Sequence, residues 1–347
     1  MGRLKNFALV SVAVTVLAGC GTPAATKPSA SPLARPSPSQ AILAQIALSD
    51  SAIDVPESQP LLLFQAYGDG RLRGLSWDGA KSGLVTRSGS FGLQAQSPDG
   101  RYVLISGMLT DRGGHSVGPF PWQEKDMTAT WSPDDTAMCK VPFLGGAGAP
   151  LRLEMAPVGQ SPRLVARGFG TFHDQSAFPV LSCDPKADQA IVAEFSQGFQ
   201  PSQGWVIRIS SGAVIGTFTG GSTPIAATAD GSLLLLANPG AGLTVVQSVN
   251  GTALATINGF EARGFSGDGS LLVGTDAQHR AVVLNWRTGR RLWSSSAALF
   301  GYIPEPNGPH LAVAIDGSDG SVGDAFLIGP SGALKRLPAG IAAGWKN

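Results

Sequence analysis

The chain has 347 residues, of which 46 are Gly and 25 are Pro, so these two residues make up about a fifth of it. Charged residues account for 14% and apolar residues for 43%. A charged share well below the average of about 25% argues against a coiled coil. The formal net charge of +1 excludes a strongly basic nucleic-acid binder, so no nucleic-acid partner is expected. Many turn residues and few helix formers predict an all-β fold.

The first twenty residues have the features of a secretory signal. Arg3 and Lys5 form a short basic region, and the apolar run from Phe7 to Leu17 is too short to span a bilayer as a mature helix. The run ends in Leu17-Ala18-Gly19-Cys20, which resembles the bacterial lipobox. The resemblance implies cleavage before Cys20 and acylation of its thiol. The alternative is an ordinary signal peptide with a chance cysteine.

The lipobox resemblance also implies a location. Two or three acyl chains anchor a protein stably, whereas a single chain binds only marginally. Gly21, rather than Asp, follows Cys20. In a bacterium with two membranes this implies an outer-membrane lipoprotein. In a bacterium with one membrane, the protein would sit on the outer face of the cell membrane. The expected membrane contact is therefore through Cys20.

Two further segments precede the repeats. Residues 21–40 are rich in Pro, Ser and Ala without apolar periodicity, which predicts a disordered tether. All charged residues up to position 40 are basic, so the remainder of the chain is mildly acidic. Residues 41–60 carry three acids and are predicted to pack outside the main fold as a short helix or an extra strand.

A turn signal recurs along the rest of the chain. It consists of Ser-Pro-Asp-Gly or a relative, followed by an apolar run. Asp suits a tight turn because it bonds back to the backbone, and Gly because it accepts a positive φ. The copies begin at Ser97, Ser132, Ser182, Thr228, Ser266 and Glu305. Each copy is expected to join two strands.

A second series of Gly-containing turns has a similar period. Its members are Gly79, Gly118, Gly159, Gly212, Gly251, Gly289 and Gly332, with spacings of 39, 41, 53, 39, 38 and 43 residues. Each unit then contains strand A, the Ser-Pro-Asp-Gly turn, strand B, a loop, strand C, the Gly turn and strand D. Four antiparallel strands in about forty residues are typical of a β-propeller blade.

The two ends of residues 61–347 complement each other. Leu61–Phe64 looks like a strand B with no strand A before it, and Ile341–Trp345 looks like a strand A with no strand B after it. The C-terminal strand is therefore predicted to close the ring, which removes exposed sheet edges. We predict seven blades. Six is the alternative, because residues 108–127 offer only short strands, with Phe120-Pro121-Trp122 as an outer strand D.

The repeats resemble those of known propellers. The turns followed by apolar strands are similar to the TolB-like and WD-repeat-like propellers of bacterial envelopes. The unit Val283–Trp293 resembles quinoprotein-type repeats, although Asn285 stands where those repeats have Asp. Lipoprotein propellers use such repeats without a cofactor. The resemblance therefore implies an interaction scaffold at the envelope more readily than an enzyme.

Longer connections mark a candidate partner-binding face. The predicted insertions are three B–C loops, Gly107–His115, Leu144–Pro150 and Ser196–Gly204, and one D–A link, Arg167–Phe178. In a four-stranded meander these connections emerge at the same end of the ring, where rigidly held loops often bind partners. The candidate residues are Arg112, His115, Phe169, Phe172, His173, Asp174, Phe199 and Gln200.

Cys139 and Cys183 are the cysteines that remain besides Cys20. Outside the cytoplasm they are free to form a disulfide, since that compartment is oxidising. Otherwise they serve as small buried hydrophobic residues. The sequence spacing leaves both possibilities open.

No catalytic residue, metal ligand or cofactor is predicted. The chain lacks the nucleophile-elbow, zinc-protease and phosphate-loop motifs. The predicted A strands contain no acid and no His, although a channel metal site would need such side chains. The main hypothesis is a non-enzymatic interaction scaffold with an unidentified envelope partner. The alternatives are a ligand- or glycan-binding propeller, a lactonase-like hydrolase and a quinone-linked dehydrogenase.

Overall fold

A computed structural model describes most of the chain after residue 42. The described residues are 43–56, 59–66, 71–86, 93–105, 107–122, 129–142, 145–174, 176–196, 200–238, 242–317, 322–337 and 340–342. The predicted signal, Cys20 and the predicted tether lie outside these ranges.

The described residues form 28 strands and one short 3-10 helix at Gly220–Ser222. None of their helices has the length and apolar character needed to cross a membrane. The first half of the strands is β1 Leu61–Ala66, β2 Leu72–Ser76, β3 Ser82–Thr86, β4 Leu93–Gln96, β5 Tyr102–Ile105, β6 Met108–Asp111, β7 Ser116–Pro119, β8 Thr130–Trp131, β9 Ala137–Lys140, β10 Pro150–Pro157, β11 Arg163–Thr171, β12 Val180–Asp184, β13 Gln189–Ser196 and β14 Gln200–Arg208. The second half is β15 Val214–Thr219, β16 Ala226–Ala227, β17 Leu233–Asn238, β18 Leu243–Ser248, β19 Ala253–Asn258, β20 Phe260–Phe265, β21 Leu271–Asp276, β22 Ala281–Asn285, β23 Arg290–Ser294, β24 Leu299–Pro304, β25 Leu311–Asp316, β26 Val322–Gly329, β27 Gly332–Arg336 and β28 Gly340–Ala342.

These strands form seven antiparallel four-stranded sheets, which are the blades of a propeller. Blade 1 contains β28, β1, β2 and β3, and blades 2 to 7 take the remaining strands four at a time in chain order. Within each blade we name the strands A to D in that order. β28 pairs with β1, joining Phe64 to Ala342 and Ala66 to Gly340. The predictions of seven blades and of ring closure by the C-terminal strand are confirmed, and the six-blade alternative is wrong.

The A–B turns use the predicted side-chain chemistry. In blade 2 the Ser97 hydroxyl donates to the Asp99 carboxylate at 3.0 Å, and Asp99 accepts the backbone N–H of Arg101 at 2.7 Å. Gly100 has a φ of +69°, and a Cβ there would lie 2.3 Å from the backbone oxygen of Leu61 in blade 1. Glycine therefore serves both the turn and the close packing of that turn on the preceding blade.

The core lies between neighbouring blades. Because each sheet is covered by a blade on both sides, its middle strands are buried on both faces and read as continuous apolar runs rather than alternating ones. In blade 6 every residue of β21 is buried, as are four of the five in β22. Burying one large apolar side chain stabilises a fold by about 1.5–3 kcal/mol, so these runs hold adjacent blades together.

A disulfide joins two of the blades. Cys139 lies in β9 of blade 3 and Cys183 in β12 of blade 4, with a Cα–Cα distance of 5.8 Å. Both residues are fully buried within the apolar cluster between these blades. The bond therefore links the second strand of one blade to the inner strand of the next.

Residues 43–56, which we call the N-terminal strap, lie extended along the outside of blades 7 and 1. The backbone N–H of Ile46 donates to Arg336 of β27 at 3.0 Å, and that of Ile53 donates to Leu84 of β3 at 3.0 Å. Both contacts are single parallel bridges onto an outer strand. The strap thus crosses the pair of blades where the ring closes, and of the two predicted forms it is closer to an extra strand than to a helix.

Blade 2 corrects part of the sequence prediction. The segment Gly107–His115 is not a long B–C loop, because β6 and β7 form a hairpin there and residues 112–115 make its C–D turn. Phe120-Pro121-Trp122 is not strand D. It follows β7, and Phe120 and Trp122 are buried in the cluster between blades 2 and 3. The sequence of this hairpin is polar and Gly-rich, and it lacks the apolar runs that mark the middle strands of the other blades.

Candidate functional site: the loop face of blades 3 and 4

Strand order gives the ring two different ends. The B–C and D–A connections emerge at one end, which we call the loop face. The A–B and C–D turns emerge at the other end, which we call the turn face. Any site formed by loops of one kind must therefore lie on one of these two faces.

Five of the eight predicted residues come together on the loop face, where blades 3 and 4 meet. They are Phe169, Phe172, His173, Asp174 and Gln200. The sixth, Phe199, lies outside the described residues. The loops are shorter than predicted, because β11 continues to Thr171 and β14 begins at Gln200. Phe169 and Gln200 are therefore strand residues at this face, and Phe172, His173 and Asp174 belong to the D–A connection between the blades.

A buried carboxylate orients His173. Its Nδ1 atom lies 2.7 Å from Oε1 of Glu194, whose side chain is only 6% exposed. The hydroxyl of Ser176 donates to the same oxygen at 3.0 Å. On the other side of the ring, Nε2 lies 3.3 Å from the hydroxyl of Thr171. The imidazole side chain is nevertheless 59% exposed, so it presents a fixed hydrogen-bonding group to any molecule on this face.

The aromatic side chains close to His173 in the sequence pack against the cluster between blades 3 and 4. The Phe169 ring meets Trp205 of blade 4 edge to face at a centroid distance of 5.3 Å, and the Phe172 ring packs on Phe178 at 5.4 Å. A Cβ at Gly170 would lie 2.8 Å from the Trp205 indole, so only glycine lets the strand approach so closely. This packing makes the surface rigid before any partner binds, which lowers the entropic cost of binding.

Arg112 and His115 are not part of this face, contrary to the prediction. Both lie in the C–D turn of blade 2, on the turn face. The Arg112 guanidinium donates to four backbone carbonyl oxygens, those of Pro56, Gln59, Asp99 and Gly100, at 2.6 to 3.2 Å. Arg112 thus ties Pro56 at the end of the N-terminal strap, and Gln59 just after it, to the A–B turn of blade 2. His115 is exposed and contacts Asp111 in its own turn.

We expect Arg112→Ala to destabilise the fold. The substitution leaves four carbonyl oxygens without this charged donor, and we expect a loss of about 1–3 kcal/mol in the free energy of unfolding. Urea denaturation followed by tryptophan fluorescence measures it. His115→Ala in the same turn is the control and should change stability by less than about 0.5 kcal/mol. Equal stabilities for Arg112→Ala and the parent protein would contradict this role.

A pair of carboxyl groups on the turn face was not predicted from the sequence. Asp135 of blade 3 is buried and has a φ of +58°, and its Oδ2 accepts the backbone N–H of Asp99 in blade 2 at 3.2 Å. Its Oδ1 has no hydrogen-bond partner among the described residues. Burial, and then the facing Asp99 carboxyl, raises the pKa of Asp135 to about 9. Burial also opposes the charge on Asp99, but hydrogen bonds and the charge of Arg101 hold its pKa below the ordinary value.

Other polar groups near the inner strands are also paired. Glu305 bonds His310 at 2.6 Å in blade 7, and Glu261 pairs with Arg263 at 3.2 Å in blade 6. Since β20 includes Glu261 and β12 includes Asp184, the prediction of A strands without acids is wrong for these two blades. Within the part of the chain that the structure describes, no group of three or more His, Cys, Asp or Glu side chains is placed to hold a metal ion.

Neither a scan against protein-family models nor a search of curated proteins finds a match for this chain.

Proposed function

We propose that the protein is a lipid-anchored extracytoplasmic propeller that acts as a non-enzymatic scaffold for protein contacts at the bacterial cell envelope. The lipobox-like Leu17–Cys20 and the Pro-rich residues 21–40 support the anchored, tethered form. The seven-bladed ring supplies a rigid frame for contact surfaces.

The observation that carries this proposal is the loop face of blades 3 and 4. It combines an exposed, oriented His173 and an exposed Asp174 with the rings of Phe169 and Phe172. Interaction surfaces are enriched in aromatic anchors surrounded by polar groups, and rigid anchors bind with little loss of side-chain entropy. The buried Glu194 keeps the imidazole in one orientation, which suits recognition of a polar group on a partner.

The use of the other polar groups also favours a scaffold over an enzyme. Arg112 holds backbone carbonyl oxygens, and Glu305 holds His310. The Ser176 hydroxyl donates to Oε1 of Glu194, and the hydroxyl beside Nε2 of His173 is that of Thr171, at 3.3 Å. Arg112, Glu305 and Ser176 therefore already have structural partners.

Cross-linking on intact cells tests the proposal. The parent protein should recover defined envelope proteins, and the double substitution His173→Ala/Asp174→Ala should reduce their recovery by about tenfold, as expected for loss of a binding hot spot. Both side chains are exposed, so the fold should persist, and circular dichroism checks it. His115→Ala on the turn face is the matched control. Equal recovery from the double variant would contradict a binding role for the loop face.

The anchor has its own test. Cys20→Ser should release the protein from the membrane fraction, and the cross-linked partners should be lost with it. A released protein that keeps its partners and its cellular effect would show that anchoring is not needed for the function.

A further inference from the structure

Exposed apolar side chains concentrate on the outer strands of consecutive blades. Among the described residues, five large hydrophobic side chains are exposed, and four of them lie on strands D of blades 3 to 5. Leu164 of β11 is 53% exposed, and Ile215 of β15 is 49% exposed beside Val214. Each lies at the turn-face end of its strand. Several apolar groups in one small area of surface usually mark an interaction site.

The patches of blades 3 and 4 are continuous. The C–D turn that leads into β15 packs on β11, and a Cβ at Gly212 would lie 2.4 Å from the backbone oxygen of Val165. Leu164 directly precedes Val165, and Val214 lies two residues after Gly212. We call residues 163–167 of β11 and 214–219 of β15 the blade 3–4 rim.

The rim is basic on the blade 3 side. Arg163 and Arg167 are exposed on β11, and Arg152 of β10 lies directly opposite Arg167 in the sheet. Like charges placed opposite each other across two strands are unfavourable. Within the described residues none of these three arginines forms an ion pair. A cluster of this kind is complementary to a chain that carries carboxylates.

On the blade 4 side, the outer edge of β15 has no strand paired to it in the described structure. β15 has no charged residue and pairs only with β14 in the described structure. Proteins normally protect such edges with charges, prolines or a covering segment. Here β3 and β27 are covered by the N-terminal strap, β7 is short and ends in Pro119, and β23 begins with Arg290 and Arg291. β15 has none of these protections.

One segment of this chain, the N-terminal strap, already binds a similar surface on blades 7 and 1. The N-terminal strap crosses the outer strands of two neighbouring blades, and its Asp50 bonds Arg71 at 3.2 Å and Arg73 at 2.9 Å. Its Ile46 is buried against the blades, and the strap adds backbone hydrogen bonds to each outer strand. Arginines, apolar side chains and an open strand edge are the groups that this acidic, extended segment uses.

We propose that the blade 3–4 rim binds an acidic, extended segment of a partner protein. Its carboxylates meet Arg152, Arg163 and Arg167, its apolar side chains cover Leu164, Val214 and Ile215, and its backbone extends the sheet at β15. Strand addition supplies affinity through the main chain, and the charges set the choice of partner. The inference rests on the proposed scaffold function and names the chemistry of one of its partners.

A peptide with the sequence of residues 43–56, labelled with a fluorophore, is the probe. It is titrated with the full chain carrying Cys20→Ser, and binding is followed by fluorescence anisotropy. We expect saturable binding that weakens with salt. Arg163→Glu/Arg167→Glu should weaken it by about tenfold or more, and Ile215→Asp by a similar factor. A peptide with Ser in place of both aspartates should bind about tenfold more weakly to the parent chain.

The matched control is Arg287→Glu/Arg290→Glu on blade 6, which changes the net charge equally and should bind the probe like the parent chain. Equal binding by all variants, or no binding, would overturn the proposal. The proposal would also be overturned if sedimentation showed that the parent chain is a dimer and that the Arg163→Glu/Arg167→Glu variant is a monomer. A second copy of the chain would then occupy the rim. Binding to phosphatidylglycerol vesicles that the same variant loses, without peptide binding, would assign the rim to lipid. If cells yield partners that the rim variants keep, this inference fails while the scaffold function stands.

Discussion

Replacing Cys139 and Cys183 together by Ala is expected to lower the free energy of unfolding by about 2–4 kcal/mol. The disulfide closes a loop between positions 44 residues apart, and breaking it releases conformational freedom in the unfolded chain. Both side chains are fully buried at the boundary of blades 3 and 4, so the substitution also removes packed sulfur atoms from that cluster.

Urea denaturation without reductant measures this loss, followed by tryptophan fluorescence in the soluble chain with Cys20→Ser. The control is the parent chain unfolded and refolded in reductant, which should match the double variant to within about 1 kcal/mol, because it loses the same cross-link. A double variant as stable as the oxidised parent would show that the bond contributes nothing to stability. Because the loop face of blades 3 and 4 rests on this boundary, the double variant should also lose partners in the cellular assay.

Asp135→Gly is expected to make the protein more stable at pH 8, by about 1–3 kcal/mol, because it removes a buried carboxyl with an unsatisfied oxygen. The equivalent turn position in other blades is Gly100, Gly231 or Gly269, each with a φ close to +69°. Glycine fits the +58° of Asp135 without strain. The variant is therefore expected to gain stability in two ways. Glycine relieves the backbone strain of the positive φ, and the buried carboxyl is no longer present.

The stability gained by Asp135→Gly relative to the parent chain should depend on pH. The pKa of Asp135 is about 9 in the folded protein, whereas an unfolded aspartate has a pKa of about 3.9. Below the lower value the group is protonated in both states and does not penalise folding. As the pH rises towards 9, the unfolded state releases the proton and the folded state retains it, so folding stability falls. The advantage of Asp135→Gly should therefore be small at pH 4 and grow up to about pH 9.

Denaturant midpoints of the parent chain and the variant across this pH range measure the difference. Asp135→Asn is the control, because asparagine tolerates a positive φ but does not titrate. It should show the same pH trend relative to the parent chain as Asp135→Gly. If the difference between variant and parent stays constant with pH, the Asp135 carboxyl does not keep its proton in the folded state.

Much of the fold could be predicted because its turns are local. Ser97, Asp99 and Gly100 make a turn through contacts with residues at most five positions away, so the pattern is visible in the sequence. The A strands marked by these turns, together with the C-terminal strand, predicted seven blades and left six as the alternative. Gly118, assigned to a C–D turn, lies inside β7. Blade 2 was misread because Met108–Asp111 and Ser116–Pro119 are short and mostly polar, whereas the buried Phe120 and Trp122 resemble a strand.

The candidate site was only partly predictable because its decisive contacts join different blades. His173 and Phe169 were expected at the loop face, but nothing in the sequence pairs His173 with Glu194 or Phe169 with Trp205. The same holds for Asp99 and Asp135, since their contact depends on how two blades tilt against each other. Arg112 was misplaced with the hairpin that carries it. Its contacts with four carbonyl oxygens could not be read from spacing.

The closure of the ring by β28 has a consequence for how the chain folds. Blades 2 to 7 are each made from one continuous stretch of sequence, but Phe64 of blade 1 finds its partner in Ala342. A chain made from its N-terminus must keep the inner edge of β1 open until the last strand emerges. Such distant pairing slows folding, because most of the chain must be ordered before the contact forms. During that interval, the corresponding strand of another molecule can pair with β1, so a high concentration of partly folded chains should favour exchanged dimers.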